Sequence, residues 1–365
     1  MDWIIANWDI CLLAFMILEK IVKLSPTQYD DIVLDMVWGS IKKIIGKLLK
    51  YISLFIFSYI IIFFSIYIIS GFLLINEIKP NQKLIKHYQR NFYLNAGLRD
   101  IWQSHKECIE FDEDLIFIPK ETSCAFKNFE FDTILTFDKY GRYSNHPIEK
   151  DPGIAVLGDS NAMGWGVNDD ETFSAILEAK IDKPVYNLAV SGYGTIRELI
   201  RFEKSGLENL VDTVVIQYTY NDWGENNNYK KNTLEVAKKK FNIIGNSKPM
   251  SFLKKLRKSF RYSLTIPIDE ITQKDQIMDF DHHKQKLNEI MKNFPVLNDK
   301  RVILFYSNGF NMKFGNFPSK KSDIIKNLEF ADLDLGEKHF FHIDGHLSSY
   351  GHKVVAEKLS RLLTQ

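Results

Sequence analysis

The sequence predicts an α/β protein with a mainly parallel sheet, preceded by membrane helices at the N-terminus. Two observations predict this class. The stretch 52–75 contains no charged side chain, and the C-terminal half alternates short, continuous apolar runs with helical segments. Such runs are typical of parallel strands buried on both faces. A composition of 45% hydrophobic and 25% charged residues excludes disordered and fibrous proteins.

The charge balance and the cysteines exclude further classes. With 47 Lys and Arg against 46 Asp and Glu, the net charge of +1 is too small for the basic field of a non-specific nucleic-acid binder. The cysteines, Cys11, Cys108 and Cys124, are too few for a disulfide scaffold and lack the paired spacing of a zinc site. We therefore expect no nucleic-acid partner, no metal, no cofactor and at most one disulfide.

The stretch 52–75 is predicted to cross a membrane. As a helix it would be about 36 Å long, against a hydrocarbon core of about 30 Å. A cleavable signal peptide would lie at the extreme N-terminus, so the anchor is expected to stay attached. A second apolar stretch, 3–22, contains Asp9 and could either span the membrane or lie at its interface. The lysine-containing stretch 38–50 could be an interfacial amphipathic helix or a solvated one.

The orientation of the span is predicted from the lysines beside it. Those before it, within 42–50, are denser than those after it, which favours a cytoplasmic location for them and an extracytoplasmic one for everything after Glu77. In that compartment Cys108 and Cys124 could pair, although buried free thiols are equally ordinary. The segment WDICLLAFMILEKIVKLSPTQYDD, residues 8–31, resembles small inner-membrane proteins of phages and prophages.

We predict three regions along the chain. Residues 1–78 form the membrane region, and residues 79–150 form a linker with a small β-rich extension. Residues 151–365 form the α/β domain. Short aromatic strands are expected in the extension at 115–118 and 133–137. No catalytic motif is visible there.

The α/β domain is predicted from alternating apolar runs and helical segments. Its strands are expected at 153–157, 184–190, 212–218 and 301–307. Its helices are expected at 170–180, 195–207, 282–293 and 350–363.

Polar residues follow the predicted strands. Ser160 follows the first, Gly192 the second and Asn221 the third, while Asp344 and His346 precede the last helix. Active groups of such folds collect at the carboxyl ends of the strands. A serine hydroxyl needs a base and a group that orients the base, which His346 and Asp344 could supply. The charge that develops on an attacked carbonyl oxygen needs N–H donors, which Gly192 and Asn221 could supply.

Four segments, LGDSNAMGWGV, NLAVSGYGT, QYTYND and IDGHLSSYGHKVVAEKL, together resemble the signature blocks of the SGNH (GDSL) hydrolase superfamily. The similarity covers roughly residues 153–365. It implies a flavodoxin-like three-layer sandwich. It also implies that Ser160 is the nucleophile, His346 the general base and Asp344 the residue that orients the base. Gly192 and Asn221 would form the oxyanion hole with the Ser160 N–H.

One departure from the family pattern concerns the base. The commonest spelling places two residues between the aspartate and the histidine, whereas only Gly345 separates them here. His342 and His352 are therefore alternatives to His346, which lies at the matching point before the last helix. We interpret His352 as a structural histidine.

Simpler interpretations exist for the same residues. Ser160 could be a helix N-cap, Asn221 could end a strand in a turn, and Gly192 could serve a positive φ angle. The lone G-x-G at 164–166 is expected to shape the loop behind the nucleophile rather than to bind a dinucleotide.

Two other groups of residues carry no predicted chemistry. Asp279, Asp281, His282 and His283 form a cluster, but Asp281 is expected to cap a helix rather than to bind a metal. The basic and apolar run within 238–261 is expected to be a solvated face, and the alternative is a surface for lipid headgroups or an anionic polymer.

The resemblance implies a membrane-tethered serine esterase that removes O-acyl groups, acetyl groups in particular, from envelope carbohydrate. The lipid bilayer would hold its N-terminal helices. One alternative is an O-acyltransferase that uses the same triad beside a membrane O-acyltransferase. The other is a non-catalytic, membrane-anchored scaffold.

Overall fold

A computed structural model describes most of the chain. The residues described are 17, 20, 28–76, 78, 83–95, 98–144, 152–245, 254, 257, 276–309, 312–318 and 327–364. The predicted span at 3–22 lies outside them, apart from residues 17 and 20, and so does Cys11.

The described helices, in chain order, are α1 (Gln28–Ile75), α2 (Lys83–Asn95), α3 (Ser160–Met163), α4 (Phe173–Ile181), α5 (Thr195–Lys204), α6 (Tyr220–Asn228), α7 (Leu234–Gly245), α8 (Asp281–Lys292) and α9 (Ser349–Leu363). The described strands are β1 (Ile109–Asp112), β2 (Ile116–Pro119), β3 (Ser123–Asn128), β4 (Phe131–Asp138), β5 (Gly141–Arg142), β6 (Gly153–Leu157), β7 (Val185–Asn187), β8 (Val211–Tyr218), β9 (Gln276–Met278), β10 (Arg301–Tyr306), β11 (Met312–Phe314) and β12 (Leu328–Ala331).

Within the described residues, eight strands form one sheet in the order β12-β10-β8-β6-β7-β5-β4-β3. The strands from β12 to β7 pair in parallel, and those from β7 to β3 pair antiparallel. The prediction of an α/β protein with a mainly parallel sheet is confirmed.

Helices cover both faces of the parallel strands. Ile154 and Val156 belong to a buried cluster that includes side chains of α4 and α9. Ala155 and Leu157 belong to a second cluster that includes side chains of α5 and α8. Because alternate side chains of a strand point to opposite faces, β6 is apolar throughout and the fold has three layers.

The structure adds elements that the sequence analysis did not predict. They are the helices α2, α3, α6 and α7 and the strands β1, β3, β5, β9, β11 and β12. The strand expected at 184–190 ends at Asn187, although the Leu188 and Val190 N–H groups still donate to the carbonyl oxygens of Val156 and Gly158.

The β-rich extension is joined to the main sheet. Strands β3, β4 and β5 continue it beyond β7, while β1 and β2 form a separate antiparallel pair. Residues 66–365 form one compact unit. The three-part division of the chain stays a prediction, but the extension is not a separate sheet.

Arg142 at the end of β5 supports the loop behind α3. Its fully buried guanidinium pairs with Asp169 at 2.6 Å. It also donates to the carbonyl oxygens of Met163 and Gly164, each at 3.2 Å, and of Val167 at 2.8 Å. The extension therefore stabilises the loop that the G-x-G residues shape.

Cys108 and Cys124 form a disulfide, with their Cα atoms 6.0 Å apart. The bond joins the turn before β1 to β3. Disulfides of this kind persist in oxidising compartments.

Helix α1 is a possible membrane span. It is the described helix long and apolar enough to cross a bilayer, and an 18-residue window within Met36–Ile75 has a mean hydropathy of 2.6. The predicted span 52–75 and the predicted amphipathic stretch 38–50 are parts of this one continuous helix.

Candidate active site

The turn after β6 presents Ser160 at the edge of the sheet. Gly158 has φ +153°, and a Cβ there would lie 2.6 Å from the Ala162 Cβ, so the turn requires glycine. Asp159 caps α3, because its carboxylate accepts from the Asn161 N–H at 2.9 Å. The N-cap interpretation of Ser160 is therefore wrong. The Ser160 hydroxyl is directed toward His346 instead.

The structure brings Ser160, His346 and Asp344 together. Ser160 Oγ lies 2.7 Å from His346 Nε2. His346 Nδ1 is hydrogen-bonded to Asp344 Oδ1. The Asp344 side chain is buried, whereas Ser160 keeps 8% of its surface exposed. The imidazole stacks on the ring of Trp165, with 4.7 Å between ring centroids.

The other two candidate histidines lie elsewhere. His352 is buried in α9, where its Nδ1 accepts from the Phe173 N–H at 3.1 Å. Burial, with the nearby Arg142 charge, lowers the pKa of His352 to about 3, so it stays neutral. The backbone N–H of His342 donates to Glu130 at 2.9 Å. Among these three, His346 is the one bonded to Ser160.

The loop that carries His346 is held on two sides. The Asn161 side-chain oxygen, next to Ser160, accepts from the Leu347 N–H at 3.0 Å. Gly309 lies so close to Gly345 that an added Cβ would be 2.1 Å from the Gly345 carbonyl oxygen. These contacts keep the His346 loop close to the Ser160 turn and to the end of β10.

Gly192 and Asn221 line the same cavity as Ser160, which has a volume of about 340 Å³. Gly192 has φ +82°, as its simpler interpretation required. Asn221 lies in the first turn of α6, and its side-chain amide donates to Asp159 Oδ2 at 3.2 Å. An asparagine amide carries two N–H groups, so one such bond leaves a second donor.

Two residues that the sequence analysis missed contact Asp344. The Tyr93 hydroxyl donates to Asp344 Oδ2 at 2.6 Å. Arg99 Nε lies 3.2 Å from the same oxygen, and Arg99 Nη2 lies 3.1 Å from His346 Nδ1. Both residues belong to the segment in which no motif was visible, so no sequence signal identified them.

These contacts control the ionisation of Asp344. Burial opposes its charged form, but hydrogen bonds and charge interactions with His346, Arg99 and Tyr93 outweigh burial and hold the pKa well below its usual range. Burial and the neighbouring Asp344 carboxylate raise the pKa of Tyr93, so its hydroxyl stays protonated and can donate.

The cluster at 279–283 has structural contacts. Phe280 is the N-cap of α8, so the expectation that Asp281 caps this helix is wrong. Asp279 accepts from the Asp281 N–H at 3.0 Å. His283 Nδ1 is 2.7 Å from the Tyr218 hydroxyl, and its ring stacks on Trp223. Burial and the neighbouring His282 lower the pKa of His283 to about 4. In the described part of the chain, no three His, Cys, Asp or Glu side chains are grouped to hold a metal.

Two surface features lie away from the triad. The first part of the basic run, 238–240, is exposed on α7, and the remainder lies outside the described residues apart from 254 and 257. A larger cavity of about 840 Å³ is lined by residues of α4, by Ile134 of β4 and by Tyr143, which follows β5. The catalytic candidates line the smaller cavity instead.

No family model matches the chain, and no curated protein matches it. Solved structures do match. They include a lipolytic protein of the G-D-S-L family from Desulfitobacterium hafniense, with 14% identity over 58% of this chain and 99% of that chain and a TM-score of 0.31. A family two carbohydrate esterase from Clostridium thermocellum, in complex with cellohexaose, has 12% identity over 60% of this chain and 65% of that chain, with a TM-score of 0.31. A GDSL-like lipase from Bacteroides thetaiotaomicron has 12% identity over 60% of this chain and 91% of that chain, with a TM-score of 0.32.

Proposed function

We propose that the chain is a serine ester hydrolase in which Ser160 is the nucleophile, His346 the general base and Asp344 the residue that orients the base. The observation that carries this proposal is the continuous line of hydrogen bonds from Asp344 through His346 to Ser160, beside an open cavity. Neither a serine that caps a helix nor a structural histidine of the core requires such a chain of hydrogen bonds.

The reaction proceeds in two acyl-transfer steps. Ser160 Oγ attacks the ester carbonyl carbon while His346 Nε2 accepts its proton. The tetrahedral oxyanion receives hydrogen bonds from the Ser160 N–H, the Gly192 N–H and the Asn221 amide. The intermediate collapses, His346 returns the proton to the departing alcohol, and the acyl group stays on Ser160. Water, deprotonated by His346, then releases the carboxylic acid and restores the serine.

Asp344 has an electrostatic role in both steps. Its ionised carboxylate accepts from His346 Nδ1, which leaves Nε2 free to accept the serine proton. When the imidazole becomes cationic, the same carboxylate stabilises the charge. The low pKa of Asp344 keeps this group ionised through the neutral range.

The proposed substrate is an O-acyl ester, acetyl in particular, of a carbohydrate. Polar side chains line the cavity beside Ser160 and could bond to sugar hydroxyl groups, among them Gln103, Ser191, Thr219 and Asn308. The volume of about 340 Å³ is at the small end for ligand sites, which favours a short acyl group. A sugar hydroxyl in place of water would make the same site an acyltransferase.

We further propose that the catalytic part lies outside the cytoplasm, attached by α1. The disulfide between Cys108 and Cys124 supports an oxidising compartment. The apolar, largely exposed surface of α1 supports a membrane anchor. A membrane O-acyltransferase is the partner proposed for the acyltransferase alternative.

The nucleophile and its compartment can be tested in one experiment. Intact cells that express the full chain are treated with a membrane-impermeant fluorophosphonate, and the labelled peptide is identified by mass spectrometry. We expect labelling on Ser160 before lysis, because a serine activated by His346 and exposed outside the cytoplasm reacts without membrane rupture. Labelling only after lysis would contradict the orientation. Absence of labelling under both conditions, with the protein folded, would favour the scaffold alternative.

Asn221→Ala is expected to lower kcat by about a hundredfold or more with little loss of stability, the effect of removing one oxyanion donor. Release of acetate from an acetylated polysaccharide would measure it.

Asn228→Ala is the matched control, because Asn228 ends the same helix and its side-chain amide donates to the Gly224 carbonyl oxygen at 2.8 Å. Equal rates for the two variants would remove Asn221 from the site.

A further inference from the structure

The carboxylate that orients the base is held by residues that immediately follow the predicted membrane span. Tyr93 lies in α2 and Arg99 lies just after it. Both contact Asp344, which is 251 positions from Tyr93 and 245 from Arg99 along the chain. Of these contacts, the Tyr93 hydroxyl bond at 2.6 Å is the shortest.

The backbone around Asp344 is held by the same part of the chain. Arg90 of α2 donates to the Ile343 carbonyl oxygen at 3.3 Å and reaches the His342 carbonyl oxygen at 3.5 Å. Glu130 accepts from the N–H groups of Ile343 and Asp344, each at 2.8 Å. Residues of α2 and of the turn between β3 and β4 therefore hold the loop that carries Asp344.

The end of α1 packs on α2 and on this loop. Leu74 of α1, Tyr93 of α2 and Ile343 of the loop form one buried apolar cluster. Gly71 admits the Phe92 ring, which would lie 3.1 Å from an added Cβ. We call the residues 67–76, 78 and 83–95 the juxtamembrane hairpin.

We propose that Tyr93 and Arg99 are positioning residues for Asp344, and that the juxtamembrane hairpin is part of the catalytic apparatus rather than a spacer. The proposal rests on the hydrolase function proposed above. A carboxylate that accepts only from His346 could rotate about its terminal torsion, which has a broad energy well. The Tyr93 bond to Oδ2 fixes Oδ1 toward the imidazole. Arg99 holds the carboxylate by its charge, with Nε 3.2 Å from Oδ2 and Nη2 3.4 Å from Oδ1. The hairpin therefore links the membrane anchor to the orientation of the base.

The first test removes one hydroxyl. The full chain in detergent micelles is assayed with p-nitrophenyl acetate. Tyr93→Phe keeps the apolar cluster but removes the bond to Asp344, so we expect kcat to fall about tenfold with KM changed less than about twofold.

Tyr218→Phe is the control, because it removes a buried hydroxyl that bonds to His283 at 2.7 Å, away from the triad. It is expected to keep kcat within about twofold of the wild type.

The second test changes Leu74, which lies in the part of the juxtamembrane hairpin that belongs to α1. Leu74→Ala opens a cavity under Tyr93 and Ile343 and is expected to lower kcat, whereas Leu74→Met keeps the volume and should restore it. Leu287→Ala on α8 is the matched control, since Leu287 is equally buried in the cluster on the other face of the sheet. Thermal unfolding is measured for each variant.

The outcomes separate this inference from the hydrolase proposal. An active wild type with kcat unchanged in both Tyr93→Phe and Leu74→Ala would overturn the positioning role alone. A folded wild type without turnover or fluorophosphonate labelling would overturn the hydrolase and the inference with it. If Leu74→Ala does not fold, the Tyr93→Phe result decides.

Discussion

Ser160→Ala is expected to lower kcat for ester hydrolysis by at least about a thousandfold. The variant removes the oxygen that lies 2.7 Å from His346 Nε2, and no covalent acyl-enzyme can then form. His346, Asp344 and the oxyanion donors remain, so binding and a small residual rate should persist. Release of p-nitrophenol by the full chain in detergent micelles, with acetate release from an acetylated polysaccharide, measures the loss.

Ser205→Ala is the control for Ser160→Ala. Ser205 ends α5, where its hydroxyl donates to the Phe202 carbonyl oxygen at 2.6 Å. Both variants remove one hydroxyl, but only the Ser160 hydroxyl contacts an imidazole. Retention of more than about a tenth of the wild-type kcat in Ser160→Ala would contradict the nucleophile and, with it, the reaction.

The triad was predictable because its members lie in short motifs beside strongly patterned elements. Ser160 follows an apolar run that became β6, and His346 precedes an amphipathic segment that became α9. In a parallel sheet the ends of such elements meet at one edge, so position in the sequence already constrains position in space. The catalytic roles of these residues remain proposals.

The residues that surround Asp344 were not predictable, because they lie outside any motif. Tyr93, Arg99 and Glu130 come from a polar segment without a motif, and they reach Asp344 only through tertiary contacts more than 200 positions apart in the chain. Short antiparallel strands such as β5, with two residues, are too short for a period-two pattern to be visible. The segment 79–150 was therefore interpreted as a linker and extension, although it supplies the groups that hold the base in place.

Asp344→Asn is expected to lower kcat by roughly a thousandfold to ten-thousandfold. In the wild type, the Tyr93 hydroxyl donates to Oδ2 at 2.6 Å. In the variant this donor selects the amide oxygen and turns the amide N–H₂ toward His346. An N–H donor at that position stabilises the tautomer whose proton is on Nε2, which can no longer accept the serine proton. The kcat of the full chain in detergent micelles measures the effect.

The same substitution makes a prediction for stability against pH. The folded pKa of Asp344 lies below its value of about 3.9 in the unfolded chain, so its charge contributes stability that is present above about pH 4 and is lost as pH falls further. The difference in unfolding free energy between wild type and Asp344→Asn should therefore shrink as the pH falls from about 5 to 3. Urea unfolding followed by tryptophan fluorescence measures it. A difference that grows between about pH 5 and 3 would mean that the pKa of Asp344 is not lowered in the folded chain, and the ionised carboxylate that holds His346 would then be missing.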